Sequence, residues 1–574
     1  MRSRAARRTV RFGFLILPLL LLLAFPGAAP AATITVTGTA DSIAVDGSVT
    51  LREAITSMNN GANVNADVVA VGTYGTSDTI NFTIGSGVQT ISPSGSQLPA
   101  VSNPIVINGT TQPGFAGTPL IVLDGLGAGP FSRGLTINGG NSTVRGLVID
   151  RFFYGIELAI NDNNTVAGNY IGVDSGGTLS RGNTGAGVLV ETNSDNNTIG
   201  GTTAADRNVI SGNTSVPGIQ IQNASNTQVR GNYIGTNAAG TAALAQGVAI
   251  DVFGPGTTIG GGTTLGPCTG TCNVISGSQI GVILESPSTG SQILGNLIGT
   301  NAAGTGAIGN VSTGVVVASG MNSVSANVIA FNGGAGVQID TDTSNLVSGN
   351  SIHDNGDLGI DINPTGVNPN DAGDADTGVN NLQNFPVITS APIAAGMVTI
   401  NGTLNSTAST NFRLEFFSST ACNAGAPNNF GEGQTFLGFL VVATDASGNA
   451  TFGGPLTTFS IPPGQTVITS TATDPNNNTS EFSACFAAAG GVTATPTPTP
   501  TRTPTPTPTT TVPGATATPT RTPTLAVPTA TPTLTATLSS GGPAPVVPTL
   551  STAVLLLLGV ALAAAALFVI RRPG

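Results

Sequence analysis

The sequence predicts an all-β chain: a right-handed parallel β-helix, then a β-sandwich, then a C-terminal transmembrane helix. Three observations predict it. A block Gly168-Asn169-Tyr170-Ile171-Gly172 recurs at Gly231-Asn232-Tyr233-Ile234-Gly235 and Gly295-Asn296-Leu297-Ile298-Gly299, at spacings of 63 and 64 residues. Related Asn-x-Ile signals at Asn208, Asn273, Asn327 and Asn350 fill the gaps. Between them, β-branched residues alternate singly with Asn, Thr, Ser and Gly, and helical periodicity is missing.

Residues 1–31 read as a secretory signal peptide. Arg2, Arg4, Arg7, Arg8 and Arg11 precede an apolar run at 12–25, and Ala29-Pro30-Ala31 supplies the small residues of a cleavage site. Export follows as the expectation. Residues 32–79 form an N-terminal region whose one helix is expected at 50–58. There Leu51, Ala54, Ile55 and Met58 share a face, and Thr50 with Glu53 fits a capping box. A helix laid across the open end of a β-helix would cover its sheet edges. Arg52 and Glu53 are read as solvated cap residues.

The β-helix is expected over 80–383. Strands of three to five residues cannot bury a face alone, but turns stacked ~4.8 Å apart can. Intervals of 23 or 24 residues between Asn-x-Ile signals suit one coil of three strands. Longer intervals of 39–41 residues are read as holding loops extruded from one face, of which Gly-Thr-Asn-Ala-Ala-Gly-Thr at 235–241 is one. Asn suits the bends because it tolerates left-handed backbone and its amide can bond its stacked equivalent. The repeated Gly residues, including Gly155, Gly187, Gly281 and Gly336, are read as turns.

Residues 387–487 carry alternating strands around Phe412 and Val467, with a hairpin turn at Asp445-Ala446-Ser447-Gly448, and resemble bacterial Ig-like β-sandwich modules. Cys422 and Cys485, one near each end, are expected to form a disulfide, as an exported location permits. Cys268 and Cys272 lack the further ligands zinc needs and are read as a local disulfide. Residues 493–549 are a Thr/Pro-rich stalk. Residues 550–572 hold an uncharged apolar run closed by Arg571 and Arg572, a membrane anchor or sorting tail.

Two stretches carry family resemblances. Val45-Asp46-Gly47-Ser48-Val49-Thr50-Leu51-Arg52-Glu53-Ala54-Ile55 resembles the N-terminal element of CSLREA-type bacterial surface proteins, with Val49-Thr50 where that family has Cys-Ser. Thr110-Thr111-Gln112-Pro113-Gly114, Asn208-Val209-Ile210-Ser211-Gly212-Asn213 and Asn232-Tyr233-Ile234-Gly235-Thr236-Asn237 resemble its pectin-lyase-like repeats. Val547-Pro548-Thr549-Leu550-Ser551, with the following apolar span and Arg pair, resembles IPTL-type sorting tails. The resemblance implies a fold and a surface location, not a reaction.

Charge narrows the partners. All 17 basic residues are Arg, and the 28 carboxylates lie between Asp41 and Glu481 with only eight Arg among them, a formal −20. Such a body repels nucleic acid and polyanionic glycans. No catalytic signature is complete. Arg133, Arg145, Arg151, Arg181, Arg207 and Arg230 read as solubilising charges, and Asp150, Arg145 and Arg151 as isolated ones. The sole His, His353, reads as a turn residue beside Asp354. Glu157 and Glu191 could meet across adjacent coils. Asp371, Asp374 and Asp376, three carboxylates in six residues with Gly373, could wrap a structural Ca²⁺ that stiffens the junction and caps the last coil. Phe152, Phe153, Tyr154, Tyr170 and Tyr233 are the candidate sugar-stacking rings.

The sequence therefore predicts a surface-anchored, non-catalytic adhesin, envelope component or glycan-binding scaffold. Its partners would be cell-surface or environmental glycans, with membrane contact through the C-terminal helix and none with nucleic acid. The alternative is a polysaccharide lyase or glycoside hydrolase on the same fold, for which no catalytic residue can be assigned.

Overall fold

The computed structural model describes residues 30–490, except 76, 263–265 and 426–428. The signal segment, the Thr/Pro stalk and the apolar tail at 550–572 lie outside the described residues. Among the described residues no helix is long and apolar enough to cross a membrane.

Three long parallel sheets of eleven, ten and nine strands wrap one continuous core, with successive coils adding one strand to each. This is a parallel β-helix. The first sheet begins with Thr33–Val36, which pairs in parallel with Asp78–Phe82, so the solenoid starts well before residue 80. Its last strand is Leu346–Ser348; the second sheet ends at Ser351–His353 and the third at Ile360–Ile362.

Register explains the aliphatic repeat. The second sheet stacks Ile149, Ile171, Ile210, Ile234, Ile275, Ile298, Ile329 and Ile352 in one inward column, each at most 1% exposed. Burying each such side chain stabilises by roughly 1.5–3 kcal/mol. A strand of two residues, such as Tyr170–Ile171, is viable only because its neighbours above and below supply the same face.

Polar ladders run along the corners. Between the first and second sheets, Asn169, Asn208, Asn232, Asn273, Asn296, Asn327 and Asn350 bond in series, the Oδ1 of each from Asn208 onward accepting both the backbone and side-chain N–H of the Asn one coil earlier. These Asn do not take the left-handed backbone expected of them. The preceding residue does so at Gly168, Gly231, Gly295 and Gly349, with φ between 63° and 73°. That division leaves the Asn amide pointing inward, where it is fully buried and fully used.

The glycines opening third-sheet strands are likewise not turns. A Cβ on Gly281 would lie 2.3 Å from the Gly314 carbonyl oxygen, so the coils approach too closely for any side chain. The extruded loops do form. Bridges Val173–Ser180, Thr236–Ala243 and Thr300–Ala307 close three hairpins, and the Ala238 and Ala302 N–H groups bond the hairpin before them.

Both ends of the solenoid are covered. At the N-terminal end the helix Leu51–Asn60 buries Leu51, Ala54, Ile55 and Met58 in the main core, and its capping box is complete. Glu53 is not solvated. It is buried and accepts from the Thr50 and Ala44 backbones and the Asn65 amide, completing the cap. Arg52 is also held, in a two-bond pair with Asp41.

At the other end lies the β-domain, with antiparallel sheets of four, three and three strands around its own core. The turn at 445–448 forms, but it carries the chain from one sheet to another rather than joining a hairpin. The domain itself, not the acidic loop at 371–376, closes the last coil. Phe417 and Phe482 enter the solenoid core. The final strand of each long sheet finds an acceptor there: Val347 N–H on Thr479 Oγ1, Ile352 N–H on the Gly433 carbonyl, and Ile362 N–H on Glu481. The corners do the same. Gly349 N–H bonds Glu415, Asn355 donates twice to Glu432, and Asn345 N–H bonds Asn380 Oδ1. Disulfides join Cys268 to Cys272 and Cys422 to Cys485.

Two consequences can be measured. Asn296→Ala removes an amide that bonds both flanking coils and the Ile259 carbonyl, and is expected to cost about 2–4 kcal/mol in denaturant unfolding of the full chain. Burial raises the Glu432 and Glu481 carboxyls to about 7 each, against the lowering by their N–H donors. The folded state therefore holds protons the unfolded chain releases near pH 4.5. This stabilisation is complete below that pH and is lost as pH rises through about 7. The melting temperature should fall between pH 5 and 8, and Glu432→Gln should flatten part of that slope.

Candidate functional site

The third sheet presents its outer face in register. The row Thr136, Glu157, Leu189, Gln220, Asp251 runs coil by coil along it, continuing to Gln338 and Asp361. Strand alternation sets this row, because the residues on either side turn into the core. Leu189 interrupts the row after Glu157, and Ile283 and Val316 stand between Asp251 and Gln338, so polar neighbours at the ~4.8 Å strand spacing occur as the pairs Thr136–Glu157, Gln220–Asp251 and Gln338–Asp361.

At the N-terminal end of the row the side chains converge. Arg133 Nε lies 2.8 and 2.9 Å from the two Glu157 oxygens, and Thr136 donates to Glu157 at 3.0 Å. Glu191, one coil on, is raised above the ordinary carboxyl range by burial and by the Glu157 charge, against Arg133. The two glutamates therefore belong to one electrostatic group. Beside them Phe131, Phe153 and Tyr154 form a continuous aromatic patch, with ring centroids 5.2 and 4.5 Å apart and the Arg133 guanidinium 5.6 Å from the Tyr154 ring. Phe131 is 69% exposed. Gly185 underlies the patch: a Cβ there would meet the Tyr154 ring at 2.6 Å. Aromatic faces for stacking beside the half-buried Glu191 carboxylate, which can accept hydroxyl hydrogen bonds, make a surface chemically suited to sugar rings, while Glu157 beneath is buried and held by Arg133 and Thr136.

The other expected rings are differently placed. Phe152 lies in the core at 1% exposure, because the left-handed Arg151 reverses the chain before it. Tyr233 is covered by Arg207, whose guanidinium sits 4.2 Å from its ring, and by the Cys268–Cys272 loop. Tyr170 is half-buried.

Asp150, Arg151 and Arg181 are not isolated charges. Parallel register places Asp124 beside Asp150; Arg151 pairs with Asp124, while Arg151 and Arg181 each stand 3.7 Å from Asp150. Burial, then the Asp124 charge, lifts Asp150 to about 6. Nothing in the spacing of Asp124, Asp150 and Arg181 marks this cluster, since each belongs to a different coil.

His353 ends a second-sheet strand, bonds Asp354 at 2.7 Å and meets Phe331 edge-on. It lines a cleft of about 340 Å³ between the last coil and the β-domain, together with Glu432 and the 419–424 segment. Glu432 comes from a chain segment nearly 80 residues away and has no motif around it. Asp371, Asp374 and Asp376 bring carboxylate oxygens within 4.8 Å of one another. Asp374 also accepts from the Asn384 N–H and Ser406 hydroxyl, which ties the loop to the β-domain.

No protein-family model and no curated protein matches the chain. Among solved structures, a double mutant of the periplasmic alginate epimerase AlgG is similar at 11% identity and a TM-score of 0.27, over 50% of this chain and 64% of that one. The chain thus spans less than two thirds of that epimerase. The A-module of Azotobacter vinelandii mannuronan C-5 epimerase AlgE4 is similar at 14% identity and TM-score 0.27, covering 50% and 72% of the two chains. A mutant tailspike of E. coli bacteriophage HK620, in complex with a hexasaccharide, stands at 10%, 0.26, 69% and 85%. At these values no activity is carried over to this chain.

The electrostatic group is testable by itself. Arg133→Gln leaves the buried Glu157 carboxylate beside Glu191 with its cation gone, and is expected to destabilise by about 1–3 kcal/mol. The double variant Arg133→Gln, Glu157→Gln should recover most of that loss in chemical denaturation.

Proposed function

We propose that this protein is an exported, envelope-displayed β-helix that binds glycans without transforming them. The observation that carries the reading is the Phe131, Phe153 and Tyr154 patch beside Glu157 and Glu191 on the third sheet. The Glu191 carboxylate accepts sugar hydroxyls and the acidic face repels uronates, so the ligands here are neutral glycans. Display is supported by the signal-like segment, the Thr/Pro stalk and the apolar tail of the sequence. The helix Leu51–Asn60, the solenoid and the β-domain then form the head of a stalked surface protein.

A second reading, a glycoside hydrolase on the same fold, draws on the Glu157 and Glu191 pair. Two carboxyls in one group with one raised is the pattern of acid and base roles. Against it stands the Arg133 clamp, which leaves Glu157 little freedom to act as nucleophile or base.

The junction carboxylates Asp371, Asp374 and Asp376 are assigned to a structural Ca²⁺. Burial raises Asp374 and Asp376, with neighbouring carboxylates adding to each, and a divalent cation would relieve both costs. Calorimetric titration of the full chain should show heat with Ca²⁺ and a higher melting temperature; the absence of both would remove the assignment.

A glycan array probed with the full chain is expected to select neutral oligosaccharides, and Tyr154→Ala to weaken them about 3–10-fold. No reducing sugar should be released from the selected ligands. Release that vanishes in Glu191→Gln would replace the binding reading with the hydrolase.

A further inference from the structure

Five of the eight arginines in the body pair with a carboxylate: Arg52, Arg133, Arg151, Arg181 and Arg413. Among the described residues, Arg145, Arg207 and Arg230 make no ion pair and no side-chain hydrogen bond, and each carries a buried Nε without a partner. In a body of formal −20, three unneutralised guanidiniums are an anomaly. They are also clustered. All three stand at the corner between the first and second sheets: Arg145 and Arg230 end first-sheet strands, and Arg207 immediately precedes the ladder residue Asn208.

Arg145 and Arg207 line one cavity of about 280 Å³ with Tyr170, Phe115, Thr110 and Ala205. The nearby carboxylates are turned into their own loops. Asp206 is held by the Thr203 hydroxyl at 2.6 Å, and Asp174 by the Thr178 and Leu179 N–H groups. The walls are fixed as well: a Cβ on Gly168 would meet the Ala205 carbonyl at 2.6 Å. The cavity is below the ~300–1,000 Å³ of drug-sized pockets, so it admits one charged ring rather than a chain.

We propose that this corner groove binds the sulfate or phosphate ester of a single sugar residue, through Arg145 and Arg207, with Tyr170 and Phe115 against the ring. One guanidinium satisfies both oxygens of a carboxylate in a fork, whereas two guanidiniums on one cavity suit an anion with three terminal oxygens. The site lies on a different corner from the third-sheet face and depends on no binding there. Net charge disfavours a long polyanion, whereas one esterified residue can meet the two guanidiniums directly, inside the ~8 Å Debye length.

The test is isothermal titration of the full chain with galactose 6-sulfate, galactose 6-phosphate, galacturonate and galactose. One or both esters should bind, at least ten-fold tighter than galacturonate or galactose, and the tighter ester identifies the source of the oxyanion. Binding should weaken with added salt. Arg145→Gln and Arg207→Gln should each weaken the ester at least ten-fold. Ala205→Glu, at an exposed position on the rim, should do so with an unchanged melting temperature. The proposal is overturned by absent ester binding, by galacturonate binding as tightly, or by ester binding that survives all three substitutions.

Discussion

An amide side chain that bonds the next coil at the same corner is the constraint on which the structure rests. Each corner Asn between Asn208 and Asn327 accepts two hydrogen bonds from the Asn before it and donates its own to a carbonyl and to the Asn after it. A buried amide left unpaired costs about 1–3 kcal/mol, so the ladder tolerates neither a gap nor a one-residue slip. Strand pairing alone would not fix register here, because strands of two or three residues offer few bonds to lose. The corners hold the coils in register, and the Ile columns follow.

A stack held this way must end, and its ends are where the chain departs from the repeat. Every N–H that a further coil would have received needs another acceptor. The β-domain supplies them from Glu415, Glu432, Glu481, Thr479 and the Gly433 carbonyl, and the connecting turn Val379–Leu382 adds Asn380. Burying carboxyls at this junction couples the seam to pH, as the raised Glu432 and Glu481 record. The β-domain and the solenoid are thus a single stability problem, joined through polar groups and the two inserted phenylalanines.

The same stacking distributes charge. A solenoid repeats each outward position every coil, so Glu157, Asp251 and Asp361 share one row on the third sheet while the arginines without an ion pair stand at one corner. The mean charge of the sequence conceals this separation. Faces of opposite character allow two ligand chemistries on one rigid body.

Much of the fold was readable along the chain. The 63- and 64-residue spacing, the Asn-x-Ile signals, the extruded hairpins, the capping box at Thr50 and Glu53 and the two cysteine pairs are periodic or local features. Local chemistry determines them, so sequence by itself sufficed. The site was less readable. Glu157 and Glu191 could be named as partners, but Arg133 could not, nor could Asp124 beside Asp150, Glu432 beneath Asn355, or the conversion of Phe152 from surface ring to core. These depend on which residues of separate coils share a register. Loops of unequal length between coils make that register a property of packing, and only the tertiary structure decides it.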